Sequence, residues 1–225
     1  MFNRPAKISD EERLQLKIRS ASYLENIIIP IIKTFTRQKI KGYHGIEHTE
    51  LVAFRAVDIA LSEGYKDFRN ELLPLLLAAA LHDSARTDDA YNETHGPDAA
   101  TRLETQNFLD EPGFMLTPFH KIEIKSAVAK HTSAMPSLFK KYSYIQRCLC
   151  DADRIRLSWE HGYNSKYFFT KRGRQLACMS PDEIVTYLSS WQKLLKTNKI
   201  KNVGRPILQR YEVGNYVRFT EPENN

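Results

Sequence analysis

The sequence predicts an all-α fold, a bundle of helices with a small irregular or β-hairpin extension at its C-terminal end, and three observations carry that expectation. Apolar residues recur at helical spacing in every segment that bears chemically interesting residues, several segments open with helix-capping residues, and no run before residue 200 alternates apolar and polar as a half-buried strand does. With 225 residues, 42% of them apolar, the chain has enough material for one well-buried core. No uninterrupted apolar segment reaches membrane length and no signal peptide stands out, so no membrane partner is expected. Cys148, Cys150 and Cys178 are too few for a disulfide framework, and the single residue between the first two disfavours a Cys-x-x-Cys site, so a reducing, cytoplasmic setting is expected. The net charge of +6 suits polyanionic company, and solvated basic helices explain it equally well. Nothing in the sequence fixes an oligomeric state.

The elements follow in chain order. Ser9 and Glu12 form a capping box, so a helix should start at Asp10. Leu14, Ile18, Tyr23, Leu24 and Ile27 carry it to Ile29, and Pro30 is expected to kink or break it before a second segment, Ile31 to Arg37. The basic stretch Lys33 to Lys41 ends at Gly42, a plausible stop. A helix from about Ile46 to Glu63 places His48, Leu51, Val52, Ala56, Ile59 and Ala60 on its inward side, with Gly64 as its stop. Phe68 to Leu81 is nearly all apolar after its first turn, as a central helix is, with Pro74 in its early turns. Thr87 to Thr94 is polar and acidic and reads as a loop. Pro97 fits the first turn of a helix through Ala99, Ala100, Leu103 and Phe108. After the loop Leu109 to Pro118 comes a helix from Phe119 to Lys130, with His120 as a surface residue in its first turn.

Ser137 to Leu157 is mixed apolar and basic. Trp159 to Phe169 is aromatic and loop-like, and reads as a satellite core. Lys171, Arg172 and Arg174 form a short basic cluster. Ser180, Pro181, Asp182 and Glu183 open a helix that should run to about Lys196. In the tail, Lys199, Lys201, Arg205, Arg210 and Arg218 are interleaved with Tyr211, Tyr216 and Phe219, a pattern compatible with nucleic acid although no known module is present. A short hairpin about Gly214 and Asn215 is expected there, followed by a frayed end.

The apolar run Leu72 to Leu81 ends abruptly in His82 and Asp83. Burying an imidazole and a carboxylate at the end of a core helix is costly unless something pairs with both. A divalent metal does so, because adjacent residues on a last helical turn can lean toward one point. A plain helix cap with Asp83 turned to solvent is the other reading. His44 lies four residues before His48 and is expected to face the same cleft, beside the ligands or against substrate.

Three separated pieces share a pattern: His48 in Gly42-Tyr-His-Gly-Ile-Glu-His48, the doublet His82-Asp83, and Cys150-Asp151-Ala152-Asp153-Arg154. This set resembles the HD-domain superfamily of metal-dependent phosphohydrolases over about residues 44 to 160. The resemblance implies a helical bundle whose metal ligands are His48, His82, Asp83 and Asp153. It divides the chain into an N-terminal helical segment (1–41), the HD-domain core (42–160), and a helical and basic extension of the same domain (161–225). Two residues apart on a helix point about 200° from each other, so Asp151 and Asp153 cannot both be ligands easily. The family pattern favours Asp153, with Asp151 as the fallback, capping or pairing with Arg154 or Lys140. His95 and His131 look like the extra histidines of relatives that hold a second metal. The spacing of 13 residues from His82 to His95 favours direct phosphate contact or a weak second site. Arg86 stands where many relatives place a phosphate-binding basic residue, its bland alternative being a surface arginine.

The implied activity is hydrolysis of a phosphoester or phosphoanhydride, of a nucleotide or a related phosphodiester. Asp83, Arg86, His95 and His131 would serve the reaction around at least one divalent ion (Mn, Mg, Ni, Co, Zn or Fe). Rival readings are a macromolecular phosphodiesterase acting on a nucleotidyl or ADP-ribosyl protein conjugate, and a non-catalytic HD fold that binds nucleic acid or protein.

Overall fold

The structure is a computed structural model, and it describes residues 8–35, 44–86, 92–111, 113–133, 135–136, 141–161 and 164–194. Among these residues every regular element is helical, and none of the helices is long and apolar enough to cross a membrane. The expected hairpin about Gly214, the end of the basic stretch at Gly42 and most of the Thr87 to Thr94 loop lie outside the described residues.

The α-helices are α1 (Asp10–Tyr23), α2 (Ile29–Phe35), α3 (Ile46–Ser62), α4 (Leu73–Leu81), α5 (His95–Thr105), α6 (Pro118–Lys130), α7 (Tyr144–His161), α8 (Lys171–Ala177) and α9 (Pro181–Leu194). Ser9 accepts from the Glu12 backbone at the start of α1, as its capping pattern predicts. Gly64, at φ 96°, adopts the left-handed conformation that a helix stop requires just past α3.

Pro30 does not break the first helix. A π-helical turn, Leu24–Ile28, joins α1 to α2, and Pro30 sits in the first turn after it. A proline inside a helix clashes with the carbonyl four residues back and leaves it without a donor; a wider π turn upstream relieves that contact. The same device recurs at Phe68–Leu72, directly before α4 and Pro74. There the released carbonyl of Asn70 is within 3.2 Å of the Tyr144 hydroxyl, which also donates to Glu71 O at 3.0 Å.

The centre of the bundle is α4, all of whose residues are buried. It packs against α3, α6 and α7, while α5 lies on α6. Each buried leucine of α4 contributes about 1.5–3 kcal/mol. Two boundaries differ from those expected. Helix α5 stops at Thr105, because Asn107 is left-handed at φ 49°, although Phe108 still reaches the core. Trp159 belongs to α7 rather than to a loop, and its indole N–H donates to Leu176 O at 2.7 Å.

Candidate metal centre

His82 and His131 hold equivalent positions on two different helices. Each is the residue just past its helix, α4 or α6, and each ring Nδ1 lies 2.7 Å from a carbonyl three residues back, Ala79 or Val128. The last carbonyls of a helix have no intrahelical donor. The Nδ1–H groups serve them, which commits each Nδ1 and leaves each Nε2 facing inward. His95 at the start of α5 repeats the contact, with Nδ1 2.5 Å from Asn92 O. Arg86 Nη2 is 3.3 Å from that same Nδ1. A nitrogen that donates to Asn92 has no lone pair for a guanidinium, so the shorter contact decides the tautomer.

The inward nitrogens meet at Asp83. On its Oδ2 side, His82 Nε2 lies at 3.2 Å and His48 Nε2 at 3.6 Å, while the two imidazole nitrogens are 3.2 Å apart. Asp153 Oδ1 closes this group, 3.2 Å from His48 and 3.6 Å from His82. His44 Nδ1 pairs with the same Asp83 oxygen at 2.9 Å. On the Oδ1 side, His95 Nε2 lies at 3.3 Å and His131 Nε2 at 3.9 Å. Donors bound to one ion at about 2.0–2.2 Å stand about 3–3.5 Å from one another, the spacing seen here. The His/Asp cluster around Asp83 can therefore hold a metal ion.

Electrostatics agree with the geometry. Burial pushes the Asp83 carboxyl up, but the His82, His44 and His48 rings outweigh it and hold it well below the usual carboxylate range. Asp153, a quarter exposed at 24%, is likewise held well below that range, His48 and His82 overcoming the effect of burial. Burial lowers His48 and His95 and brings His131 down to about 4, so these rings are neutral and available as ligands. On His82 the opposite happens: Asp83 and Asp153 overcome burial and raise it well above its usual value. The two carboxylates thus hold a proton where they would hold a cation.

His48 comes from the first turn of α3, the doublet from the end of α4, His95 from α5, His131 from the end of α6 and Asp153 from α7. The structure brings all of these together, with His44 beside them. Arg86 is buried, its Nε donating to Asp83 Oδ1 at 3.1 Å. It braces that carboxylate, which removes the surface-arginine reading.

Asp151 lies elsewhere. It is fully buried, and its carboxylate accepts from Phe169 N, Thr170 N and the Thr170 hydroxyl at 2.6–2.8 Å, fastening the start of α8 to α7. Burial pushes it up to about 6. Its role is the capping one, and Asp153 alone of the pair belongs to the cluster. His120 closes the capping box of α6 with Thr117. Sequence reasoning missed Gly96: a Cβ there would come within 2.9 Å of Val128 O and 3.2 Å of His131 Nδ1. Its lack of a side chain lets the start of α5 approach the end of α6, and its position directly after His95 was the available signal.

Compared with known protein families, curated proteins and solved structures, the chain matches none.

Proposed function

We propose that the chain is a metal-dependent phosphohydrolase, cleaving a phosphoester or phosphoanhydride bond of a nucleotide or a related phosphodiester. His48, His82, Asp83 and Asp153 would hold one divalent ion, and Asp83, His95 and His131 a second. The observation that carries the reading is the convergence on Asp83 of imidazole nitrogens whose other ring nitrogen is already committed to a backbone carbonyl. His95 Nε2 and His131 Nε2 face each other at 3.0 Å, and each Nδ1 lies against a backbone carbonyl, which favours the proton on that far side. Two lone pairs at that distance repel unless a cation sits with them, and this favours a second ion over direct phosphate contact. The likeness of His48, the His82-Asp83 doublet and Asp153 to the HD-domain pattern supports the same chemistry.

When bound, such an ion supplies Lewis acidity toward a phosphoryl oxygen and makes hydroxide accessible at neutral pH. The chain's own residues do the rest. Arg86 and His44 fix the Asp83 carboxylate from two sides. His44, with 27% of its side chain exposed, is tethered through Nδ1 and is placed to hand a proton to a departing oxygen. The donor set of imidazole and carboxylate suits Mn, Fe, Co, Ni or Zn better than Mg.

The test is metal analysis of the purified protein together with a hydrolysis screen. Nucleotides, dinucleotides and phosphodiesters are each offered with Mn, Mg, Ni, Co, Zn and Fe. Retained metal near two equivalents and turnover of at least one substrate class are expected. A protein that retains no metal and hydrolyses nothing refutes the reading. In His131→Ala, stoichiometry should fall by about one; a raised KM at full metal content would instead assign His131 to phosphate contact.

A further inference from the structure

Helix α7 brings two neighbouring residues to the metal centre in different ways. Asp153 reaches it with its own carboxylate, 3.2 Å from His48 Nε2. Arg154, the next residue, is turned about 100° around the helix and is buried to 4% exposure. Its Nη2 donates to the backbone carbonyl of His131 at 3.4 Å, and its Nη1 to that of Tyr167 at 3.1 Å. The guanidinium also lies over the Phe169 ring, 5.8 Å from the centroid. Arg154 is thus turned to the protein's own backbone, and it touches the centre through His131.

The chain is held differently after the two histidines that end α4 and α6. After His82 it runs into a turn closed by its own backbone, where Ser84 N–H donates to Leu81 O at 3.0 Å and Arg86 N–H to Asp83 O at 2.9 Å. The His131 carbonyl, past the last turn of α6, takes its donor from a side chain of another helix. The His131 ring is tied at Nδ1 to Val128 O, and its Nε2 stands 3.0 Å from His95 Nε2 and 3.9 Å from Asp83 Oδ1. Where that ring stands therefore follows where the end of α6 stands. Gln146 joins α7 to α6 further back, at Ser126 Oγ (3.3 Å), and Arg154 joins them at the end that carries the ligand. A guanidinium suits this task, because its planar fork holds two carbonyls in fixed relation, which an ammonium on a flexible stem does not. Charge argues against an electrostatic role. A fixed cation beside a site for a dication opposes the ion, so geometry accounts for its presence.

We propose that Arg154 is a positioning residue for the second ion: by holding the His131 carbonyl to α7, it fixes His131 relative to the Asp153 ligand of the first. The inference rests on the two-ion form of the phosphohydrolase reading and adds what sets its second site. Asp153 and Arg154 are consecutive on one helix, so α7 registers the two sites against each other. The Tyr167 contact extends the same clamp to the segment before α8, whose backbone Asp151 holds at Phe169 and Thr170. Loss of the guanidinium releases the end of α6, loosens the second ion and leaves the first in place.

The test uses the full chain, Arg154→Met and Arg154→Lys, with helical content matched by circular dichroism. Asp151→Ala serves as a variant that loosens the Phe169 and Thr170 backbone from α7 and leaves the His131 carbonyl untouched. Arg154→Lys keeps the charge, and it carries the comparison if Arg154→Met does not fold. Mn is titrated into the metal-free proteins and the free ion is followed by electron paramagnetic resonance, which gives a dissociation constant for each bound ion. The second ion is the one missing from His131→Ala. In Arg154→Met its constant should rise about 10–100-fold, the size of losing a group behind a metal ligand, with the first constant unchanged. Arg154→Lys should fall between, since an ammonium still reaches one carbonyl. With Mn near the second constant of the wild type, Arg154→Met should turn over bis(p-nitrophenyl) phosphate with a lower kcat at an unchanged KM. Equal weakening of both ions, an unchanged second constant, or the same loss in Asp151→Ala overturns the proposal. A wild type that binds fewer than two ions does so too, as does a tighter second ion in Arg154→Met, the sign that relief of charge repulsion would give. Selective loss of the second ion in Arg154→Met, with no diester hydrolysed by any of the proteins, overturns the phosphohydrolase reading and not the positioning of His131.

Discussion

Asp58 and Asp83 are buried to the same 2% exposure, yet their charges are met in different ways. Around Asp58 the protein supplies its own permanent cations. Arg172 donates from α8 at 2.8 Å, and Lys17 pairs with the other oxygen from α1. Burial pushes this carboxyl up, and Lys17 and Arg172 overcome it and hold it below its ordinary value. That node is complete, and it ties α1, α3 and α8 together. Around Asp83 the permanent cation among the described residues is Arg86, and the other partners are histidines, His82 among them held in its protonated form by the carboxylates. A buried carboxylate whose other partners are titratable imidazoles is a place where a cation from outside can supply the charge. The first arrangement stabilises a fold, and the second can hold a metal ion.

The sharpest way to break this contrast is to remove the centre. Asp83→Ala and His82→Ala should each abolish metal retention and lower hydrolysis by more than about a thousandfold, a size typical of losing a catalytic group. Helical content should stay near that of the wild type. Full metal content with wild-type turnover in either variant would remove these residues from the site.

Next in size is the division of labour on α7. Asp151→Ala orphans three donors, two of them buried, and should cost about 3 kcal/mol of stability, read by denaturant unfolding, with metal content retained. Asp153→Ala should do the reverse, losing metal at little cost in stability. Exchanged phenotypes would make Asp151 the ligand.

Asp58→Ala should destabilise by about 2 kcal/mol, less than the roughly 3–5 for a fully buried pair because Lys17 and Arg172 keep some contact with water. Metal stoichiometry should not change. The pH dependence follows from the same residue. Its folded-state value lies below its ordinary 3.8, so the unfolded chain takes up the proton first. Its contribution is whole above that ordinary value and is lost as pH falls through the folded one. The melting temperature of the wild type should therefore drop more steeply in acid than that of Asp58→Asn; parallel curves would show that Asp58 contributes no such linkage.

Gly96→Ala has the smallest expected effect. Its new Cβ meets two backbone carbonyls, a strain of about 1–2 kcal/mol that should push α5 from α6 and separate His95 from His131. Occupancy of the second ion should fall while the first stays bound. Unaltered stoichiometry for two ions would show that the close approach of these helices is not what pairs the two rings.

Much of this was legible in the chain itself. Helical spacing and caps located α1, α3, α4, α6 and α9 to within a few residues, because burial of one apolar face and satisfaction of helix ends are local demands. The apolar run that stops at His82 and Asp83 singled out the doublet, since no isolated helix would bury that pair. The 200° divergence of Asp151 and Asp153 showed that the two must differ, and only the packing of Phe169 and Thr170 on α7 decided which one caps. Tertiary structure also turned Arg86 inward onto Asp83 and let two π turns absorb Pro30 and Pro74. Residues fixed by their own helix could be read in order along the chain. Those whose partners lie tens of residues away took their roles from the fold, because a buried charge answers to whatever surrounds it in space.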